Sequence, residues 1–366
     1  MERVCRNLHN SSLLRPLADG WGFYFWENKM KRKVTLALCA CILMIAVGIA
    51  VGSVYIPPGQ MRAILGHRLF GRALPETTPP HMVSILWNLR LPRVFLAFLA
   101  GAALSVSGAV MQSVLRNPLA SSYTLGVSSG ASLGATLVLL YGATLPLLGG
   151  FSLPIFGFVF GMGTIVLAIL FATRIDGQME NNTIILVGVV FTLFVGSITT
   201  LLATMERTSI QRLIFWQMGS FSMRDWDAVW ILLPIVLIGI LWLTRLSREL
   251  DILTFGEGEA QAIGVDVKPV KWKLLLITAA VTGSTIAFVG LIGFVDLVVP
   301  HVVRRIFGSR HRLMLPMSAL VGGGFMVLCD LAARMVIPHQ ELPVGVVTAL
   351  LGAPFFVWIY RQGRAK

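Results

Sequence analysis

Charge is scarce in this chain. Of its 366 residues only 13 % are Asp, Glu, Lys or Arg, about half the share usual in a soluble domain. Hydrophobic residues make up 56 % and the mean hydropathy is +0.79. That balance excludes an ordinary soluble enzyme or binding module and implies an integral membrane protein. Cysteine is also sparse: Cys5, Cys39, Cys41 and Cys329 are scattered, two of them inside one apolar run. They make neither a disulfide framework nor a CxxC metal site. The six histidines (9, 67, 81, 301, 311 and 339) show no ligand spacing, so no metal site is expected. No GxxxxGK[ST] phosphate loop occurs, and any ATP-driven role therefore needs a partner to bind ATP and Mg; no cofactor is expected in the chain itself. No carboxylate pair, nucleophile–base pair or metal cluster falls at a shared depth, which leaves a membrane enzyme without a constellation. A cleavable signal peptide is missing too. The first long apolar stretch follows "ENKMKRK" without a small-residue cleavage site and reads as a retained span.

What the chain has in quantity is apolar runs and positive charge. The formal charge is +13, which in a soluble protein would point to nucleic acid. Here Lys and Arg are expected to load the cytoplasmic loops, with membrane lipid and no nucleic acid as the contact. Runs of about 20 apolar residues give ten candidate spans, near 34–54, 92–114, 122–141, 152–173, 183–204, 227–245, 271–289, 290–307, 313–334 and 342–361. The third and eighth are the least regular, because Gly, Ser and Pro interrupt them. Two spans squeezed between Trp272 and Phe307 imply short or broken helices. With the amino end inside, eighteen of the 30 Lys and Arg fall in cytoplasmic segments, nine outside and three in the amino-terminal tail. Both termini are thus expected in the cytoplasm, with Arg90 and Arg93 on the outer side against the trend. The fold expected is an all-α, compact bundle of about ten transmembrane helices. Its 36 glycines, dense in "GAALSVSGA", "LGVSSGASLGA" and "VGGG", let backbones approach closely in lipid. Residues 1–33 form an amino-terminal cytoplasmic extension, 34–362 the helical domain, and 247–271 the longest cytoplasmic loop. The first 29 residues fit no part of the pattern and are either a loosely ordered extension or a segment ahead of a start at Met30.

Six motifs then follow in order: "RLPR" before a Gly-rich span, "SGAVMQSVLRNPLASSYTLGVSSGASLGA", "WQMGSF", "FGEGEAQAIG", "VVPHVVRRIFGSRHRLMLPMSAL" and "ELPVGVVTALLGAPFFVWI". From about residue 35 to 362 the chain resembles the permease subunits of type II ABC importers for vitamin B12, ferric siderophores and haem. The resemblance implies ten helices per subunit and a permease dimer, expected as a homodimer. It also implies two ATPase subunits inside, a periplasmic or lipid-anchored substrate-binding protein outside, and the bacterial cytoplasmic membrane as the location. A ferric siderophore-type metal chelate is the expected cargo, with cobalamin or haem the alternatives. In the same terms Gly256, Glu257, Ala260 and Gly264 match the loop that couples to the ATPase. There the small residues permit close docking and Glu257 supplies a cap or a partner for a basic residue. Arg90, Arg93 and Arg334 match the outer arginines that dock the binding protein; Asp330, four residues before Arg334, is placed to compete for it. Leu119, Asn181 and Asn182 match the cytoplasmic gate.

One position departs from the family pattern. Asp296 stands where "FVGL" would place glycine, and an acid inside an apolar stretch must face protein or water. It is either a pathway-lining acid or a hydrogen-bond partner of His301 or Arg304, the second being preferred. A reading from another class, an ion-coupled secondary transporter with Asp296, Asp330 and Arg334 as relay, rests on these buried charges.

Overall fold

The computed structural model describes residues 15–52, 54–75, 78–146, 149–177, 179–206, 209–222, 224–337 and 340–364, with side chains from 30 to 357. Residues 1–14 of the expected extension, with Cys5 and His9, lie outside the described residues. Among those described there is helix and no strand. The helices are α1 (Arg15–Ala50), α2 (Pro58–Phe70), α3 (Pro80–Ser84), α4 (Leu91–Val114), α5 (Val127–Leu139), α6 (Ser152–Ile175), α7 (Asn181–Met205), α8 (Ile210–Gln217), α9 (Trp226–Arg245), α10 (Ser247–Leu253), α11 (Glu257–Ala262), α12 (Val267–Val289), α13 (Val295–Phe307), α14 (His311–Met335) and α15 (Val344–Arg364). A π-helical turn, Ile85–Arg90, joins α3 to α4 without a break.

Ten of these helices stand on the ten apolar runs. Among the described residues, seven stretches are long and apolar enough to cross a membrane. The two irregular runs became the short helices α5 and α13, each of 13 residues. At 1.5 Å per residue each reaches about 20 Å, well short of a hydrocarbon core of about 30 Å. Their starts show why: Gly126 at φ 90° and Phe294 at φ 68° both sit in the left-handed region and open the helix late. The boundary expected at residue 33 does not coincide with an element boundary, since residues 15–33 continue the backbone helix of α1.

The bundle is built around α4. Nearly all of this helix is buried, and α14, α13, α12, α9 and α1 pack around it. Small residues make that crowding possible. A Cβ built on Gly101 would lie 2.2 Å from the Gly322 carbonyl oxygen of α14. Ser105 fastens the same crossing, its hydroxyl lying between Gly101 O at 2.6 Å and Ser318 O at 2.7 Å and sharing one proton between them. Without a hydrophobic force between helices in lipid, such contact and hydrogen bonding are what holds the pair. One end of the bundle carries α10, α11 and the 176–182 turn; the charge bias assigns it to the cytoplasm. The opposite end carries α2, α3, the π turn and α8.

Candidate functional site: two polar clusters at opposite ends of the bundle

At the end away from α10 and α11, the first turn of α4 and the last turn of α14 bring two arginines onto one acid. Arg93 Nε donates to Asp330 Oδ1 at 2.8 Å, and its Nη1 reaches both Glu341 carboxylate oxygens at 2.9 Å. Arg334 Nε stands 3.0 Å from Asp330 Oδ2. That oxygen has no hydrogen bond with acceptable geometry, so the contact is an ion pair by distance with the N–H aimed elsewhere. Arg334 also donates to Gly48 O at 3.3 Å. Arg90 turns the other way, donating to Val54 O and, at 3.5 Å, to Ala50 O, and so ties the end of α1 to the π turn.

The three arginines are 5, 8 and 8 % exposed for Arg90, Arg93 and Arg334. They are not free cations on a rim: two are matched by carboxylates and the third by carbonyls. The cluster shows solvent mainly through Glu341, whose side chain is half exposed. Burial acts to raise the Glu341 pKa, but the Ser222 hydroxyl and Arg93 outweigh it and hold the carboxyl below the ordinary range.

Asp296 lies elsewhere. It is 2 % exposed, in the first turn of α13. Its partner is neither His301 nor Arg304, as expected, but Ser121, whose hydroxyl donates to Oδ2. The reason is topological: the irregular Ser122–Leu125 turn brings Ser121 against the start of α13, whereas His301 and Arg304 lie further along the same helix. Asp296 shares no partner with Asp330 or Arg334, so the three do not make a relay. Nor does its burial suit a residue lining a path. Asp296→Ala is expected to lower stability by about 2 kcal/mol, the worth of a hydrogen bond to a charged group, and to leave cargo preference unchanged. Thermal unfolding in detergent and a two-chelate competition measure the two effects separately.

At the α10–α11 end the residues expected to couple to the ATPase behave differently from one another. Gly264, at φ 91°, has open space where a Cβ would go. Ala260 is fully buried and packs back on the bundle, so it is not a docking surface. Gly256 is closed off by Glu259. The exposed apolar groups of this segment are Phe255 and Ile263, at 74 and 68 %. Glu257 pairs with Lys271 Nζ at 2.5 Å, and Lys271 also donates to Met179 O at 2.8 Å. Of the residues expected at the gate, Leu119 and Asn182 are exposed. Asn181 is partly exposed, with an Oδ1 that is buried and has no hydrogen-bond partner among the described residues.

Next to this segment is a cavity of about 650 Å³ whose lining includes Arg116, Arg304, Arg310 and His311. His311 Nδ1 is 2.6 Å from Asp251 Oδ1, and its Nε2 is 2.6 Å from Ser113 Oγ. The order is that of a hydrolase triad, which sequence spacing did not show. Ser113 borders the same cavity but is only 6 % exposed, and its hydroxyl also lies 2.9 Å from Ala109 O of its own helix, so it is not presented as a free nucleophile. The contact instead stitches α10 to α4 and α14.

Several of these partners escaped sequence reasoning: Lys271, Ser121, Glu341 and His311. For Lys271 a signal existed. It precedes the buried Leu274, Leu275 and Thr278 by three, four and seven residues, which puts it on the inner face of α12.

The comparisons with known proteins agree with this architecture. The FecCD transport family model matches residues 39–362. The uncharacterised ABC transporter permease protein YvrB of Bacillus subtilis is 42 % identical over 88 % of this chain and 92 % of its own. The cobalamin import system permease protein BtuC of Halobacterium salinarum is 38 % identical, over 80 % of this chain and 76 % of its own. The Fe(3+) dicitrate transport system permease protein FecD of Escherichia coli is 37 % identical, over 89 and 96 %. A solved inward-facing ABC transporter of metal-chelate type superposes with a TM-score of 0.77 at 29 % identity, over 90 % of this chain and 99 % of that one. With a family model spanning nearly the whole helical domain and relatives aligned over most of both chains, this chain belongs to the FecCD transport family, the multi-span membrane permeases of type II ABC importers.

Proposed function

We propose that this permease carries a metal chelate of the ferric siderophore type inward across the bacterial cytoplasmic membrane. In this reading it is paired with a second copy of itself and driven by two separate ATPase subunits. The observation that carries the ATPase partnership is the pair Phe255 and Ile263: two large apolar side chains, more than two thirds exposed, flanking a six-residue helix at the end rich in Lys and Arg. Apolar groups held out on a polar loop mark an interaction surface. Gly264, open on its outer side, lets a partner approach the same face. Both termini then lie in the cytoplasm, as the charge bias requires, and Leu119 and Asn182 stand at the inner mouth. ATP-driven displacement of α10 and α11 reshapes the path between the two copies, and no covalent chemistry takes place in this chain.

Docking of a substrate-binding protein is assigned to the opposite end, around Arg90, Arg93 and Arg334. The support is that Arg93 already holds an exposed carboxylate, Glu341, which a carboxylate of the partner can replace. An exposed ion pair is worth about 0–1 kcal/mol, so such exchange orients the partner and speeds encounter more than it tightens binding.

Cobalamin is the second reading of the cargo, favoured by the relative of that name. The deciding experiment reconstitutes the permease with its ATPase and binding protein in vesicles and offers a ferric siderophore, cobalamin or haem. ATP-dependent uptake of the siderophore is expected; uptake of cobalamin alone would replace the first reading with the second. In the same system Phe255→Asp with Ile263→Asp is expected to weaken ATPase binding by about 30-fold or more, since buried interface anchors cost about 2 kcal/mol or more on truncation. Wild-type affinity in that variant would move the docking surface elsewhere.

A further inference from the structure

Lys271 is a fully buried ammonium near the end of α12 that adjoins α11. Lysine is almost never fully buried unless paired. Here the pairing joins two separate pieces of chain. Its Nζ donates to Glu257, the first residue of α11, at 2.5 Å, and to the main-chain carbonyl of Met179, in the turn ahead of α7, at 2.8 Å. Three residues past Met179 stands Asn182.

The turn itself cannot hold its shape unaided. Met179 has φ 58°, a conformation costly for a side-chain-bearing residue that persists only where the surroundings over-determine it. Among the described residues three contacts support it: the Met179 N–H donates to Asp176 O at 3.1 Å, the Asp176 carboxylate accepts the Glu180 N–H at 2.7 Å, and Lys271 holds the Met179 carbonyl at 2.8 Å. The two coupling helices are also backed differently. Helix α10 packs against α4 and α14 and is stitched to them through Asp251, His311 and Ser113. Helix α11 packs on α12 and α10, and its ionic link leads to the turn before α7.

We infer that Lys271 is the positioning residue that transmits displacement of α11 to the gate turn, through Glu257 on one side and the Met179 carbonyl on the other. If α11 moved without the turn, one of these bonds would break. Losing Glu257 would leave the buried ammonium without its hydrogen-bonded anion, with Asp176 and Glu180 of the turn acting on it only from further away, and losing Met179 would release a strained turn from its restraint. In a low-dielectric interior both are unfavourable, so the turn and Asn182 follow α11. The inference rests on the importer reading above and specifies which residue carries its motion.

The test uses the full permease–ATPase complex in vesicles and reads chelate uptake per ATP hydrolysed, alongside assembly. Lys271→Met is expected to assemble and hydrolyse ATP while uptake per ATP falls about tenfold, within the usual range of inter-site coupling. Lys271→Arg, which keeps the cation and its donors, is expected to restore most of it. A wild-type ratio in Lys271→Met, or an arginine variant no better than methionine, would overturn the inference. Should Lys271→Met fail to assemble, spin labels on Glu180→Cys and Gly258→Cys, with the native cysteines replaced, decide the matter. Their separation is expected to stay constant between nucleotide-free and ATP-bound states while each moves relative to a label on α4. A change in their mutual distance between the two states would refute the link. Wild-type vesicles that take up no chelate would instead count against the importer reading, and the label distances would still test Lys271.

Discussion

Asp330→Ala is expected to lower stability by about 3–5 kcal/mol, the cost of removing one member of a buried ion cluster. Against a total of about 5–15 kcal/mol that is enough to deplete the folded permease. The reason is arithmetic of charge. Asp330 is fully buried between Arg93 and Arg334, each 8 % exposed. Without it, Arg93 retains Glu341, but Arg334 retains only main-chain carbonyls, those of position 330 and Gly48, and the two guanidiniums face each other. Arg93 loses a well-formed bond of 2.8 Å, and Arg334, whose contact with Asp330 is an ion pair by distance only, loses its neighbouring carboxylate. A companion variant isolates the cause. Replacing Asp330, Arg93 and Arg334 together by Leu, Met and Met removes every buried charge of the cluster, leaving only the half-exposed Glu341, and is expected to recover most of the stability, as apolar replacement of whole buried clusters often does. Thermal unfolding of both variants in one detergent measures the difference. A loss below about 1 kcal/mol in Asp330→Ala, the worth of a surface pair, would show that the cluster is solvated in the membrane-embedded protein.

Gly108→Val is expected to abolish folding, and Gly108→Ala to cost at least the 1–3 kcal/mol or so typical of overpacking. A Cβ at 108 would lie 1.9 Å from the Asp296 carbonyl oxygen, 2.6 Å from its carbonyl carbon and 2.7 Å from its Cα. All three are main-chain atoms, so no side chain can rotate away; the start of α13 must retreat from α4. That retreat would break the Gln112 bond to Asp296 O, 3.1 Å long, and the Ser121 bond to its carboxylate. The control is Gly163→Ala on α6, where a Cβ meets nothing within 4 Å. There alanine is expected to be neutral or to stabilise by about 0.4–1 kcal/mol through the unfolded chain. Size-exclusion profiles and yields of the two alanine variants give the comparison, and equal behaviour would show that α13 is not seated on α4 as described.

Helix count and order were legible in the chain, because a span in lipid must satisfy its own backbone and be apolar for its whole length. Even the two short helices were marked, by the Gly, Ser and Pro that interrupt 122–141 and 290–307. The i,i+4 spacing of Asp330 and Arg334 was equally readable. What no local pattern could contain was the partner of each charge. Arg93 and Asp330 are separated by 237 positions and Lys271 and Met179 by 92. Asp296 bonds Ser121, which lies 175 residues away, in place of the neighbours on its own helix that the sequence offered. The outer arginines, set against the charge bias, read as free for a partner; the folded bundle turns them inward onto carboxylates and carbonyls. Burial sets these pairings: a charge excluded from water must take the nearest counter-group, and which group is nearest depends on how α4, α12 and α14 cross. Apolar length and charge bias along one chain therefore determined the bundle and the side each loop is expected to face. The crossing of helices alone decided which cation neutralises which acid, and with it the link from α11 to the gate.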